Sequence, residues 1–310
     1  MSRKIVVGSR GSKLALIQTN SVVARIRETN PGIEVSVSQI ATRGDRERHI
    51  QLDAFEGSNI FVKELEEALL DGRIDLAVHS LKDMPTQIPS GLYLAAVTER
   101  VDPRDVLISR GEKLAELPPG ARLATGSLRR AVQLGACRPD LEVCGVRGNV
   151  DTRLAKAAGG EFDGVILAAA GLARLGRSDR VTEYLSVEHF LPAVGQGALG
   201  IEARLDDKEI AGIVLPLNHL PAWQSITAER SFLTALGGGC RAPIAALGTV
   251  DGTRLRLDGM VAGVLSKKIL RSSEEGNAEE AEELGVRLAQ KLVKMGAEEF
   301  LAEAKRDESR

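Results

Sequence analysis

The sequence predicts a protein of three domains, two of the α/β class followed by a smaller α+β domain. Its 310 residues exceed what a single hydrophobic core usually holds, which favours two or three domains. In the first two thirds, strand-like and helix-like segments alternate, a pattern typical of open sheets with helices on both faces. The last third changes to a helix, a hairpin and a further helix, which indicates a separate α+β domain.

The first α/β domain is predicted from short apolar runs that alternate with amphipathic stretches. Helical spacing is clear at Phe61, Leu65, Ala68 and Leu69, which recur at i, i+4, i+7 and i+8. Asp71-Gly72 then ends that helix. The predicted strands are 5–8, 33–37, 74–78 and 92–97, and the predicted helices are 12–27 and 61–69.

The second α/β domain begins after Asp102-Pro103-Arg104. Its predicted strands are 122–125, 141–146 and 164–169, and its predicted helices are 128–136 and 150–158. One more strand, 200–205, follows the turn Gly195-Gln196-Gly197 and could return to the first sheet. The expected domain boundaries are 1–98 plus 197–217 for the first domain, 103–192 for the second and 219–310 for the third.

The third domain is predicted from a helix over 223–236 and from Asp251-Gly252, a strong hairpin signal between β-type residues. Asn277 is the expected N-cap of a final helix, with Glu280 three residues later as a variant of the capping box. The apolar stripe of that helix consists of Ala281, Leu284, Leu288 and Leu292.

Composition excludes several classes of protein. Lys plus Arg is 41 and Asp plus Glu is 43, and the resulting net charge of −2 argues against general electrostatic binding of nucleic acid. Aromatic residues, at 3%, are too few for base-stacking platforms. No apolar run reaches the roughly 18 residues that span a bilayer, and the N-terminus lacks the apolar core of a signal peptide. We expect a cytoplasmic protein that contacts neither nucleic acid nor membrane.

The three cysteines exclude a disulfide scaffold and predict reduced thiols. Cys137 and Cys144 lie in a predicted helix and strand, and we expect them in the core. Cys240 follows Gly237-Gly238-Gly239, where a packed core is not expected. A cysteine there is either a small buried residue, as free cysteines usually are, or a reactive or covalently modified thiol. The four histidines are far apart in sequence, so neither a zinc site nor a Cys–His dyad is supported.

Four expected strand ends share one composition, because each supplies hydroxyls or backbone amides together with a cation. In open α/β sheets, ligands bind at the carboxyl ends of strands, where helix N-termini point. No phosphate loop or dinucleotide motif is present, which favours a polycarboxylate, since arginine forks bind carboxylates bidentately. For any single loop, a helix cap with a solvated charge is the ordinary alternative. The residues are Arg10 and Ser12, Lys82 and Asp83, Ser127 with Arg129 and Arg130, and Arg147 with Arg153.

Asp83 is the one carboxylate within these four loops that lies among cations. Its ordinary role would be to pair with a neighbouring arginine. Alternatively, it is a general acid or base, or the counter-charge of a cationic intermediate. Pro85 favours an extended loop that exposes the Asp83 side chain.

Long, ordered segments indicate a family. In chain order they read GSRGSKLAL, TRGD, FVKELEEALL, VHSLKDMP, DPRD, TGSLRRAVQL, VRGNVDTRL, LPAVGQGALGIE and GGGCRAPI. These segments resemble the porphobilinogen deaminases, also called hydroxymethylbilane synthases, over nearly the whole chain. The resemblance implies two periplasmic-binding-protein-like α/β domains plus a small C-terminal α+β domain. It also implies a transferase of porphyrin and haem biosynthesis, which joins four porphobilinogen units head to tail into the linear tetrapyrrole hydroxymethylbilane and releases ammonia.

The resemblance further implies roles for individual residues. Asp83 would be the catalytic aspartate, and Cys240 would hold one dipyrromethane cofactor per chain through a thioether. Cofactor contacts are implied for Lys82, Ser127, Arg129 and Arg130. Substrate contacts are implied for Arg10, Ser12, Arg147, Arg153, Arg174, Phe61 and Gln196. The enzyme would use no metal and would act as a monomer.

The chain departs from the family pattern at three places. Glu56-Gly57-Ser58-Asn59 stands where many members have a GGKG stretch, so a cationic contact is missing. Gly126 stands where serine is common, and Arg241 stands where glutamine is common. These departures concern details of the cofactor and loop contacts.

Two other classes of protein share some of these features. A cytoplasmic solute-binding-like protein for carboxylates would have the α/β domains and the cationic loops, but would not need Cys240. A cysteine-nucleophile amidotransferase would use Cys240 directly, but would need a base that the sequence does not supply nearby.

Overall fold

The computed structural model describes residues 4–42, 62–237 and 243–308. The chain forms two compact units. One consists of Met1–Val101 with Ala198–Trp223, and the other consists of Asp102–Gly197 with Gln224–Arg310. The boundaries of the three domains expected from the sequence stay a prediction.

Strands and helices alternate over most of the chain, as the sequence predicts. The strands are β1 (Lys4–Arg10), β2 (Glu34–Ile40), β3 (Leu76–Ser80), β4 (Leu92–Val97), β5 (Asp105–Ser109), β6 (Arg122–Thr125), β7 (Glu142–Gly145), β8 (Gly164–Ala168), β9 (Glu183–Tyr184), β10 (Leu199–Arg204), β11 (Ile244–Asp251), β12 (Arg254–Ala262) and β13 (Ile269–Asn277). The α-helices are α1 (Lys13–Thr29), α2 (Lys63–Leu70), α3 (Leu128–Cys137), α4 (Val150–Ala158), α5 (Ala169–Arg174), α6 (Lys208–Val214), α7 (Leu220–Ala235), α8 (Ala281–Lys294) and α9 (Ala297–Glu308).

The first unit is built on a five-stranded sheet in the order β2-β1-β3-β10-β4. β1 runs parallel to β2 and β3, whereas β10 is inserted antiparallel between β3 and β4. Because β1 and β3 are parallel, their carboxyl ends lie at the same edge of the sheet, and the loops after Arg10 and Ser80 leave from that edge. The apolar core on one face includes the fully buried side chains of Ile5, Ile26, Leu76 and Ile201.

The second unit contains a five-stranded sheet in the order β7-β6-β8-β5-β9. β6 is parallel to β7 and β8, whereas β5 is antiparallel to β8 and β9. The pairing register places Asp105, the first residue of β5, opposite Ala168, the last residue of β8. The antiparallel direction of β5 thus brings its first residue to the edge at which the parallel strands end and α3 begins.

A three-stranded antiparallel sheet in the order β11-β12-β13 also belongs to the second unit. Gly252, with a φ of 59°, lies in the turn between β11 and β12, at the predicted hairpin. The core under this sheet includes Phe232, Leu257, Leu284 and Leu288. The two five-stranded sheets and this small domain confirm the expected fold class, two periplasmic-binding-protein-like α/β domains and an α+β domain.

The ends of several elements differ from the sequence-based expectation. Asn277 caps a 3₁₀ turn, since its side chain accepts a hydrogen bond from Glu279 N at 3.1 Å, and α8 begins only at Ala281. The sequence pattern does not predict β13, because residues 272–276 are polar or glycine and the strand is held by its pairing with β12. Nor does it predict α9, which follows the helix expected to be the last.

The expectation that Cys137 and Cys144 lie in the core is wrong for Cys137 and partly right for Cys144. Cys137 is exposed at the last residue of α3. Cys144 is half-buried on β7, an edge strand of its sheet, and packs against a buried core cluster. Membership of a helix or strand did not predict burial here, because one residue ends its element and the other lies at a sheet edge.

Gly285 allows α8 to lie directly against α7. A Cβ at this position would lie 2.4 Å from Ala228 O and 2.7 Å from Phe232 N. We predict that Gly285→Ala lowers the free energy of unfolding by about 1–3 kcal/mol, the usual effect of overpacking. Gly135→Ala in α3, where a Cβ meets nothing within 4 Å, is the control. It should stabilise the chain by about 0.5–1 kcal/mol. Urea unfolding measures both variants, and equal midpoints would contradict the close approach of the two helices.

Candidate active site

At the carboxyl edge of the first sheet, β1 leads directly into α1. Arg10 ends β1, and Ser12 caps α1 through its hydroxyl, which accepts a hydrogen bond from Ala15 N at 3.3 Å. Behind this junction Ser9 and Thr19 are fully buried, and the Thr19 hydroxyl donates to Ser9 Oγ at 2.8 Å. Arg10 and Ser12 therefore lie at a helix N-terminus, where backbone N–H groups and the helix dipole favour an anion.

Asp83 ends a single 3₁₀ turn, Leu81–Asp83, that directly follows β3. Leu81 and Met84 are buried on either side of it, with 2% and 3% of their surface exposed. Leu81 N donates to Ala198 O at 3.1 Å, and Met84 N closes the turn on Leu81 O at 3.1 Å. Lys82 and Asp83 are half-buried between these anchors. Because the Asp83 side chain is short and its backbone is anchored, its carboxylate can occupy few positions. Such restriction suits a group that must act from a fixed place.

Gln18 is a polar neighbour of this turn that the motifs do not indicate. Its Nε2 donates to Ser80 Oγ at 2.8 Å, and Ser80 Oγ in turn lies 3.1 Å from Gln18 Oε1. Gln18 is only 4% exposed. A signal existed in the sequence, since Gln18 and Thr19 lie one helical turn before the apolar residues Val22 and Val23 and share the buried side of α1 with them.

In the second unit, Asp105 is fully buried beside two arginines of α3. Its carboxylate oxygens lie 2.8 Å from Arg129 Nη1 and 2.7 Å from Arg130 Nη2. Gln196 joins the group, and its Nε2 donates to Asp105 Oδ1 at 2.9 Å and to Pro103 O at 2.7 Å. Burial alone would raise the pKa of Asp105, but the charges of Arg129 and Arg130 hold it well below its usual range. Asp105 is therefore ionised near neutral pH.

This group holds two buried cations and one carboxylate. Arg129 and Arg130 are each 5% exposed, and they also donate to neutral carbonyl oxygens, Arg129 Nη1 to Leu191 O at 2.5 Å and Arg130 Nη1 to Ile166 O at 3.2 Å. The Nε of Arg130 is buried and has no hydrogen-bond partner in the described part of the chain. Buried positive charge and an unused donor are unfavourable unless an anion offsets them. The arrangement favours binding of a carboxylate.

Arg174, at the end of α5, is a half-buried cation. Its Nη2 donates to Gly197 O at 2.7 Å, and no carboxylate among residues 4–42, 62–237 and 243–308 pairs with it. Burial lowers the pKa of Arg174 to about 10, so the guanidinium still carries its charge near neutral pH. An incoming anion would offset that charge as well.

The remaining predicted contacts of the second unit lie near the N-termini of α3 and α4. Ser127 precedes α3, and its side chain makes no capping hydrogen bond. Arg147 is exposed after β7, and Arg153 in α4 donates its Nε to Gly148 O at 2.9 Å. Asn149 caps α4 by accepting from Thr152 N. Two helix N-termini with nearby cations therefore follow β6 and β7.

The geometry around Gly126 explains one departure from the family pattern. A Cβ at Gly126 would lie 2.7 Å from Val146 O, closer than side chains are found, and 3.5 Å from Nη2 of Arg153. A serine at this position would need the end of β7 to shift. Gly126 therefore allows Val146 and Arg153 to lie this close to the start of α3.

Two predicted site residues, Cys240 and Phe61, lie outside the described residues, as do Ser58 and Arg241. Their roles stay predictions.

Asp105 is a site residue that the motifs did not predict, although it is the last residue of the DPRD segment. Its signal was an aspartate that directly precedes an apolar run. The predicted residues occur in the first unit at Arg10, Ser12, Lys82 and Asp83, and in the second unit at Ser127, Arg129, Arg130, Arg147, Arg153, Arg174 and Gln196.

Comparison with known proteins decides the family. One family model, described as porphobilinogen deaminase, dipyromethane cofactor binding domain, matches residues 5–212, and a second, for the porphobilinogen deaminase C-terminal domain, matches residues 223–294. The chain belongs to the porphobilinogen deaminase family. The first match covers both five-stranded sheets, and the second covers the small three-stranded sheet.

Close relatives match along their whole length. A porphobilinogen deaminase of Geotalea uraniireducens is 50% identical over 297 residues, which cover 96% of this chain and 93% of that protein. One of Pelotomaculum thermopropionicum is 47% identical over 311 residues, which cover 100% of both chains. Among solved structures, the periplasmic VFT2 domain of Bordetella pertussis BvgS matches at a TM-score of 0.38 and 16% identity, over 68% of this chain and 84% of that chain.

Family membership confirms several predictions made from the sequence. The chain is a transferase that makes hydroxymethylbilane from porphobilinogen in porphyrin and haem biosynthesis, and its cofactor is dipyrromethane. The solute-binding alternative is not favoured. No helix in the described ranges is long and apolar enough to span a bilayer.

Replacing Asp105, whose carboxylate contacts both Arg129 and Arg130, tests how much it stabilises these buried charges. Asp105→Asn leaves Arg129 and Arg130 buried without a counter-charge, and we predict a loss of about 3–5 kcal/mol in the free energy of unfolding. Asp140→Asn is the control, because Asp140 pairs with Arg138 near the surface and should change stability little. Urea unfolding measures both. If the two variants are equally stable, the buried pair does not stabilise this edge.

Proposed function

We propose that this porphobilinogen deaminase uses Asp83 as its catalytic acid and the buried arginines of its second unit to bind carboxylates. The observation that carries the proposal is the balance of Arg129 and Arg130 against the single carboxylate of Asp105. Each porphobilinogen unit brings an acetate and a propionate, so the growing chain accumulates negative charge. Arginine suits this substrate because it stays protonated and binds carboxylates bidentately.

The residues that the structure describes fit a dipyrromethane cofactor. We assign its carboxylate and pyrrole contacts to Lys82, Ser127, Arg129 and Arg130. The unused Nε of Arg130 supports this assignment, because a buried donor needs an acceptor. When bound, the dipyrromethane supplies the pyrrole end to which substrate units are joined. Cys240 suits covalent attachment, since a thiolate is a far stronger nucleophile than a hydroxyl.

Asp83 carries the proton chemistry in this proposal. It protonates the amine that leaves the substrate as ammonia, and its carboxylate then stabilises the positive charge that develops on the substrate. It also assists the final deprotonation. Its half-buried place on the turn after β3 supports this role, because one group must serve every successive addition from the same position.

The carboxylates of the substrate are bound by cations and hydroxyls near the strand ends. The helix N-terminus at Ser12 and the lack of a carboxylate partner for Arg174 in the described ranges support this part of the proposal. We further propose that the enzyme works as a cytoplasmic monomer, without a metal and without contacts to nucleic acid or membrane. The proposed substrate contacts are Arg10, Ser12, Arg147, Arg153 and Arg174, with Phe61 and Gln196 nearby.

Asp83→Asn keeps the size of the side chain and removes both its proton donor and its negative charge. We predict that kcat falls at least ~10²-fold, since general acid–base catalysis is typically worth about 10²–10⁴-fold. The urea midpoint should not change. Asp71→Asn is the control, because Asp71 is exposed after α2 in the same unit and should keep kcat. Porphobilinogen consumption measures both, and turnover of Asp83→Asn within about tenfold of the parent would argue against Asp83 as the catalytic acid.

A further inference from the structure

Three ionisable side chains occupy the interior of the first unit, and the chemistry above uses none of them. Glu66 on α2 and His79 on β3 are each 4% exposed, and Glu202 on β10 is 0% exposed. Nε2 of His79 lies 2.9 Å from Oε2 of Glu202. Ionisable groups are rarely buried unless they are paired, so three of them in one interior need an explanation.

Strand pairing explains how this cluster forms. β3 and β10 run antiparallel, with Ala77 opposite Glu202 and His79 opposite Gly200. Since residues two apart on a strand share a face, His79 and Glu202 are diagonal neighbours on the face that carries Ala77. This face packs against α2, because Ala77 and Leu65 of α2 belong to one buried cluster. The cluster of ionisable groups therefore lies between the sheet and α2.

Burial favours the neutral form of Glu66. Burial, and then the charge of Glu202, raise the pKa of Glu66 to about 7, while His79 opposes them with a smaller effect. Oε1 of Glu66 and Oε1 of Glu202 are buried and have no hydrogen-bond partner among the described residues. An ionised carboxylate is unfavourable in such an interior.

Among the described residues, few other charges act on Glu66. Glu67, its exposed neighbour on α2, raises the pKa of Glu66 only slightly. On β3, His79 is the one titratable residue. Arg204 on β10 is already paired with Asp75 and Asp207. The other titratable residues on α2 and on the strands it contacts are Lys63 and Glu64 on α2, Lys4 and Arg10 at the two ends of β1, and Tyr93 on β4.

The cluster is continuous with the turn that carries Asp83. His79 is the residue before Ser80, from which the 3₁₀ turn Leu81–Asp83 starts. The His79–Glu202 contact ties the end of β3 to β10 through side chains, in addition to the backbone pairing. Any shift of His79 would therefore move the base of the turn, and small displacements of a catalytic group have large effects on rate.

We propose that Glu66, His79 and Glu202 form a positioning cluster for Asp83, in which the His79–Glu202 contact fixes the end of β3 and Glu66 lies buried on α2, the helix that packs on this face. This inference rests on the proposed catalytic role of Asp83. Glu66, His79 and Glu202 are positioning residues in this proposal, since the proposed function assigns none of them a contact with the substrate.

The protonated state of Glu66 has a consequence for stability. Because the pKa of Glu66 rises from 4.5 to about 7 on folding, the folded chain keeps a proton that the unfolded chain releases between these values. The contribution of Glu66 to stability is therefore fully present below about pH 4.5 and is lost as the pH rises through about 7. A neutral isostere at position 66 should not show this loss.

Removing the His79–Glu202 contact tests the positioning role. The double variant His79→Leu/Glu202→Leu leaves neither side chain without its partner, and replacing a buried polar pair by apolar residues is often tolerated in stability. We expect kcat of the holoenzyme to fall about 10–100-fold, with KM for porphobilinogen within about twofold of the parent. Glu202→Gln should restore most of kcat, because its amide oxygen still accepts from His79. Glu67→Gln is the control and should match the parent, since Glu67 is exposed. Parental kcat in the double variant would overturn the proposal.

Thermal unfolding tests the ionisation of Glu66. It keeps the proposal testable even if the double variant does not fold. Relative to the parent holoenzyme, Glu66→Gln should raise the midpoint at pH 8 by about 2–4 °C and should have a much smaller effect at pH 5. Glu67→Gln should change neither midpoint. Equal midpoints of Glu66→Gln and the parent at pH 8 would overturn the proposal.

The proposed function and the positioning cluster can fail separately. If Asp83→Asn stays active, the proposed role of Asp83 fails. If Asp83→Asn is inactive and the double variant is fully active, the positioning cluster alone is refuted.

Discussion

The buried carboxylate of Asp105 is the interaction on which the position of Arg129 and Arg130 at this edge of the second unit depends. It reaches that edge because β5 runs antiparallel to β8, so that its first residue lies where the parallel strands end. Among the described residues, one carboxylate offsets one of the two guanidinium charges of Arg129 and Arg130. An excess of buried charge is costly in an interior of low polarity. This excess is the basis of the proposal that the edge binds the carboxylates of a polycarboxylate ligand.

The first unit is organised by rigidity instead of excess charge. Buried Leu81 and Met84 hold the turn that carries Asp83, and Ser80 is hydrogen-bonded to Gln18. In this interior His79 contacts Glu202, and burial raises the pKa of Glu66 to about 7. The second unit supplies buried positive charge, and the first unit supplies Asp83 on an anchored turn. In the proposed function, the buried arginines bind the carboxylates of the growing chain, and Asp83 transfers the protons.

Local signals account for what the sequence predicted well. β4, β6 and α4 begin and end as expected, because apolar runs and turn residues bound them. Arg129 and Arg130 were predicted because a strand end followed by a helix start is visible in the motif itself. Asp105 and Gln18 were missed because their local signals are weak and the contacts that define their positions are with residues distant in sequence. β13 was missed for the same reason, because pairing with β12, and not its own composition, makes it a strand.

The intact mass of the protein, purified without added substrate, tests most directly whether the chain carries a covalent polycarboxylate cofactor. The chain should be heavier than its sequence by two porphobilinogen-derived units, each lacking the atoms of one ammonia. Peptide mapping should place the addition on Cys240, and Cys240→Ser should have the mass of its sequence alone, since a hydroxyl is a much weaker nucleophile than a thiolate. A parent chain without added mass, or a Cys240→Ser chain that carries the same addition, would contradict the account.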